Sequence, residues 1–184
     1  LVASLLTDKP FALTNLPDLA DIKTLSLLLE SHGADLNHDK ANSEISIHIP
    51  TITSTTAEYE LVSTMRASVL VLGPLLAREH NARVALPGGC AIGSRPVDMH
   101  LTALEKMGAT FTQESGYLVG TTEAGGLKGA DIHFEKVSVG ATENLVMAAT
   151  LANGTTRLFN AAMEPEVVDL ANCLVAMGAD ISGI

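Results

Sequence analysis

Residues 87–98 read Pro-Gly-Gly-Cys-Ala-Ile-Gly-Ser-Arg-Pro-Val-Asp, and they hold one of only two cysteines in the 184-residue chain. A loop with so little side-chain bulk lets its backbone N–H groups come close to a ligand. Arg95, shortly after Cys90, would favour the thiolate and brings donors matched to phosphate or carboxylate oxygens. One reading is a reactive cysteine facing an anionic small molecule. The other is a glycine turn over a packed thiol, since free cysteine is commonly buried. These residue types alone leave both open.

Two further stretches could serve an anion. Lys136-Val-Ser-Val-Gly-Ala-Thr-Glu-Asn144 runs into a helix expected near Thr142. A helix N-terminus offers unpaired N–H groups and the positive end of a dipole, and Lys136 adds a point charge. Ser138 or Thr142 also fits an ordinary helix cap. Thr64-Met-Arg66-Ala-Ser68 lies at a helix start, where Arg66 alone reads as a solvated surface residue. The six histidines show no metal spacing, and only His100, two residues past Asp98, lies close to the cysteine loop. Cys173 falls on an apolar helix face and reads as core. Asp98 and Asp169 read as residues that begin helices and compensate their dipoles.

The totals narrow the partners. Net charge is −10, from 11 basic and 21 acidic residues, so the chain repels nucleic acid and anionic membranes at long range. An anionic ligand would need the few cations concentrated at its site. Aromatics are only 3%, which weakens any case for base stacking and requires an aliphatic core. Two cysteines make no disulfide framework, and reduced thiols suit the cytoplasm. The longest apolar run, 69–77, is short and interrupted by Gly73-Pro74, so neither a membrane span nor a signal peptide is read.

The elements that must position these loops repeat. Leu-x-x-x-Gly-Ala recurs at Leu29/Gly33/Ala34, Leu104/Gly108/Ala109 and Leu174/Gly178/Ala179. Upstream of each, apolar residues at helical spacing follow an aspartate: Asp21, Asp98 or Asp169. Each glycine sits where a helix would need a left-handed C-terminal residue. The second copy predicts a helix over 59–78, a strand 83–86, a helix 97–107 and strands 109–112 and 116–119. The third predicts a helix 142–152, a strand 155–159, a helix 165–177 and a strand from Ala179. The first predicts a helix over 1–6, a strand 11–13, a helix 19–31 and strands 34–36 and 44–49. The expectation is a single α/β domain over 1–184 with quasi-three-fold symmetry, in repeats of approximately 1–53, 54–122 and 123–184. The first and last repeats read as truncated, as if the chain were a piece of something longer.

Several segments resemble the UDP-N-acetylglucosamine 1-carboxyvinyltransferases, a branch of the enolpyruvyl transferases. They are Met65-Arg66-Ala67-Ser68, Leu72-Gly73-Pro74-Leu75, the run from Leu86 through Cys90 and Arg95 to Asp98, and Leu127-Lys128-Gly129-Ala130. Lys136 to Thr142 and Asn160 to Asp169 match as well, so the resemblance spans essentially the whole chain in order. The shikimate branch shares the fold but not the cysteine loop. The resemblance implies an inside-out α/β domain of three βαβαββ units, with helices inside and sheets outside. It implies transfer of the enolpyruvyl group of phosphoenolpyruvate to the 3′-hydroxyl of UDP-N-acetylglucosamine, with release of phosphate, in peptidoglycan synthesis. No metal or organic cofactor is implied.

By the same resemblance, Cys90 matches a general acid that protonates the phosphoenolpyruvate methylene and can form a covalent adduct. Arg95 matches a phosphoenolpyruvate-binding arginine, and Arg66 a substrate-contacting one. Pro96, Val97, Asp98 and Met99 follow a stretch that holds the nucleotide sugar, with His100 beside it. Lys136, Val137, Ser138, Val139 and Gly140 match a loop on the uridine diphosphate. Ser94 replaces a commoner alanine. A Lys-Asn pair before Leu1, and the aspartate and arginines of a second domain, are implied but lie outside the sequence. The isolated chain is therefore expected to be inactive. A non-catalytic nucleotide-sugar-binding domain is the alternative from another class.

Overall fold

The computed structural model describes residues 1–63, 65–86 and 97–184, and of Arg66 the backbone alone. Cys90, Arg95 and Pro96 lie outside the described residues. The chain opens with a 3-10 segment, Val2–Leu6, followed by β1 (Phe11–Leu13), α1 (Ala20–Ser31), β2 (Asp35–Asp39) and β3 (Glu44–His48). Next come β4 (Thr56–Ala57), α2 (Tyr59–Val62), a second 3-10 segment (Arg66–Val71), α3 (Leu72–Glu79) and β5 (Asn81–Ala85). The order continues with α4 (Val97–Lys106), β6 (Ala109–Glu114), β7 (Tyr117–Thr122), β8 (Asp131–His133), α5 (Val139–Ala149), β9 (Arg157–Phe159) and α6 (Pro165–Ala176).

The strands form three small sheets, ordered β1-β3-β2, β4-β5-β7-β6 and β8-β9. Laid over one another they share a plan. β4 and β5 pair in parallel, as do β8 and β9. β5, β7 and β6 run antiparallel in the same relative order as β1, β3 and β2. Alternation sets the facing: in β3, Ile45 and Ile47 are buried while Glu44 and Ser46 are exposed.

The helices fill the space between the sheets. Leu72 to Ala77 of α3 are all buried, and α5 buries Ala141, Thr142, Asn144, Leu145, Met147 and Ala148. α1 fully buries only Leu28 and Leu29, and α6 only Val167, Ala171 and Leu174. α3 and α5 therefore form the inner helical layer, within the expected α/β class. Gly73 is what lets α3 and α5 touch. A Cβ there would fall onto Asn144 Oδ1 and within 2.7 Å of the Asn144 carbonyl oxygen.

The three capping glycines adopt the left-handed backbone their positions require, with φ of 103° at Gly33, 94° at Gly108 and 106° at Gly178. Ala34 N–H donates to the Leu29 carbonyl and Ala179 N–H to the Leu174 carbonyl, both at 3.0 Å, closing the wide loops of Schellman-type caps.

Some expectations change. The helix expected over 59–78 is α2, a 3-10 segment and α3. Within the 3-10 segment Ser68 Oγ donates to the Met65 carbonyl at 2.8 Å, a local bond that competes with the α-helical ladder. Pro74 is accommodated as the third residue of α3, where its missing N–H breaks no helical bond. Residues 1–6 form a 3-10 turn rather than an α-helix. The helix expected from 142 begins at Val139. No strand forms at Ala179, because no described segment pairs with it. Asp169 is the fifth residue of α6, too far along to cap it, whereas Asp98 does lie in the first turn of α4. Cys173 is only half-buried rather than sealed in the core.

Candidate functional site

Two of the sequence-marked stretches come close, Gly140 of one lying beside His100 of the other. The first turns of α4 supply Asp98, Met99 and Thr102, and the end of β8 supplies His133, Phe134 and Glu135, around a cleft of about 160 Å³. Lys136 and Val137 continue from Glu135 on the exposed surface, and Ser138, Val139 and Gly140 are half-buried where α5 starts. Val97 and Met99 are half-buried, Asp98 is exposed and His100 is 4% exposed.

The start of α5 is held by its own polar residues. Ser138 is the N-cap, its Oγ accepting the Ala141 N–H at 3.3 Å. Thr142 is not the cap. Its buried Oγ1 donates to the Ser138 carbonyl at 2.8 Å and accepts the Ala162 N–H at 3.0 Å, fastening this turn to the segment before α6. Such a fixed turn keeps N–H groups and the positive dipole end in one place, beside Lys136. Acidic neighbours temper the field. Burial, and then the nearby Glu166, raise the pKa of Glu143 on the same helix.

Between α4 and α5 lies a polar hub that the sequence reading missed. Asn144, wholly buried, accepts the Gly73 N–H on Oδ1 at 2.8 Å. Its Nδ2 donates to the Val69 carbonyl at 3.2 Å and to His100 Nδ1 at 2.9 Å. The 3-10 segment, α3, α4 and α5 are thus joined through one amide. Burial lowers the His100 pKa to about 4, so the ring is neutral at pH 7. The available signal was an amide at the head of an apolar run, 145–149, because a buried amide must find partners.

Arg78 was also missed. Its Nη1 donates to the Leu5 and Thr7 carbonyls at 3.0 and 2.9 Å, and its Nη2 to the Ile49 and Pro50 carbonyls at 2.8 and 3.3 Å. This guanidinium ties the first third of the chain to α3 and is structural. Of the expected site residues, Asp98 and Met99 line the cleft, Lys136 and Val137 follow Glu135 at its edge, and Gly140 lies beside His100. The backbone of Arg66 opens the 3-10 segment that α5 packs against. Among the described residues no group of three or more His, Cys, Asp or Glu could hold a metal ion, and no helix is long and apolar enough to cross a membrane.

Relatives share this chain's sequence over its whole length. It is 56% identical to UDP-N-acetylglucosamine 1-carboxyvinyltransferase of Rhodospirillum centenum, covering 100% of this chain and 44% of that protein. The enzyme of the same name from Paracoccus denitrificans is also 56% identical, over 98% of this chain and 42% of its own length. The chain thus spans under half the length of these curated relatives. Among solved structures, the enolpyruvyl transferase NikO from Streptomyces tendae superposes with a TM-score of 0.85 at 21% identity, over 98% of this chain and 42% of its own. EPSP synthase from Acinetobacter baumannii gives 0.69 at 20% identity, over 100% and 43%. At such identities the likeness concerns the fold. The model of the EPSP synthase (3-phosphoshikimate 1-carboxyvinyltransferase) family matches residues 1–184, and the chain belongs to that family.

Proposed function

We propose that the chain forms a substrate-binding domain of a UDP-N-acetylglucosamine 1-carboxyvinyltransferase, acting in peptidoglycan synthesis in the cytoplasm. One observation carries this reading: 56% identity over the entire chain to relatives of that name. The closeness of 97–100 to 136–140 supports it, since both stretches were expected to hold a nucleotide sugar. The proposal extends to a single domain over 1–184 in three repeats, completed by a second domain of the same enzyme.

In this reading Lys136 and the N–H groups at the start of α5 hold the diphosphate, and Val97 to Met99 flank the nucleotide sugar, with His100 beside them. Arg66 contacts substrate and Arg95 binds phosphoenolpyruvate. Cys90 gives its proton to the methylene carbon, and the 3′-hydroxyl oxygen bonds to C2 as its own proton passes to a carboxylate of the second domain. Loss of phosphate from C2 and of a proton from the new methyl group then restores the enol double bond in the product. A thiol suits proton donation near neutrality, because its ordinary pKa of about 8.5 is already close and a guanidinium lowers it. Proton donation of this kind contributes about 10²–10⁴ in rate.

The protein containing this chain, given phosphoenolpyruvate, should release phosphate only when UDP-N-acetylglucosamine is added. Cys90→Ala should lower that rate by about 10² or more. An epoxide phosphonate of the fosfomycin type should add its mass at Cys90 when the nucleotide sugar is present. Full turnover without Cys90, or phosphate release that needs shikimate 3-phosphate instead, would overturn the reading. The 184-residue chain alone should bind without turning over.

A further inference from the structure

The orientation of the Asn144 amide is fixed by groups other than the histidine it touches. The Gly73 N–H donates to Oδ1, so the oxygen faces α3, and the Val69 carbonyl accepts from Nδ2, so the nitrogen faces the other way. That nitrogen lies 2.9 Å from His100 Nδ1. A donor at this distance requires a lone pair on Nδ1, which places the proton of the neutral ring on Nε2. The opposite edge of the ring is turned to the first turn of α5. A Cβ built on Gly140 would lie 3.7 Å from His100 Cε1 and 3.8 Å from Nε2, so this edge of the ring lies beside the Gly140 turn.

We propose that Asn144 is a positioning residue that locks His100 in its Nε2–H tautomer, so that His100 presents a fixed donor to an oxygen of the ligand held at the 136–140 turn. The ligand half rests on the nucleotide-sugar reading; the tautomer half does not. His100 is neither acid nor base in this role. Its value is that the direction of one N–H is set before the ligand arrives, which lowers the ordering cost of binding.

Long-range proton–nitrogen correlation spectra of the ¹⁵N-labelled protein at pH 7 should show a bare, pyridine-type Nδ1 and a protonated Nε2 for His100. In Asn144→Asp the carboxylate can still accept from Gly73 but has no hydrogen to give His100, so Nδ1 should become protonated. Asn144→Ala, which releases the ring, should weaken binding of uridine diphosphate about tenfold by calorimetry. In the wild-type spectra, saturating uridine diphosphate should shift the His100 Nε2 signal. A wild-type ring protonated on Nδ1, an unchanged tautomer in Asn144→Asp, or an Nε2 signal insensitive to bound uridine diphosphate would each overturn the proposal. A wild-type protein that binds no uridine diphosphate would sink the nucleotide-sugar reading and the ligand half together, while the ring spectrum still decides the role of Asn144.

Discussion

The inner helices α3 and α5 and the outer helices α1, α4 and α6 use polar residues in opposite ways. On the outer helices Asp21 and Glu105 are exposed to water, as residues of solvated helix faces are. On α5, Thr142 and Asn144 are buried, and each bonds across to another segment. Inside, a polar side chain is a joint whose loss strands its partner without water to replace it. His100 belongs to the outer α4 by sequence and to the inner set by burial.

The contrast breaks most visibly at Gly73. Gly73→Ala pushes a methyl into Asn144 and the α5 backbone, and should cost about 3 kcal/mol by urea unfolding. A smaller loss would mean that α3 and α5 separate easily and that the joint is not tight. Acid tests the same place. His100 is neutral when folded, with its pKa lowered to about 4, and titrates near about 6.5 when unfolded. Its contribution is fully present above that unfolded value and is lost as pH falls toward 4, by about 3 kcal/mol. His32, whose pKa burial also lowers, adds slope of the same sign. Replacing His100 by Asn should therefore flatten the stability profile between pH 6.5 and 4 without levelling it.

Arg78→Met keeps the apolar stem but leaves the Leu5, Thr7, Ile49 and Pro50 carbonyls without their donor. A loss of about 2 kcal/mol is expected, and an unchanged melting profile would show that water serves those carbonyls equally well. Glu105→Ala on the exposed face of α4 should stay within about 0.5 kcal/mol of wild type. A larger effect there would erase the distinction between the two sets of helices.

Local features were legible in the sequence because neighbouring residues cause them. The glycines at 33, 108 and 178 announced left-handed caps; at α5 the cap was left between Ser138 and Thr142 and the start was placed too late, whereas Ser138 is the cap. The 97–100 and 136–140 stretches were marked through a family resemblance, and Gly140 of one lies beside His100 of the other. Arg78 was invisible because its partners are carbonyls, which every residue carries. Asn144 was hard to place because its partners lie at Val69, Gly73 and His100, far away in the chain. The helix expected over 59–78 failed for a related reason: apolar periodicity persists through a segment that a serine's own backbone bond bends into a tighter spiral.

The burial of α3 against α5 on one side and the Val2–Leu6 turn on the other has a consequence for how the molecule comes apart. In a solenoid each repeat touches only its neighbours, and an end can melt while the middle survives. Here residues of all three sheets share one hydrophobic cluster with α3 and α5, so no sheet can leave without opening that core. Unfolding should be all-or-none, with the slowest-exchanging amides of α3 and α5 reporting the global free energy.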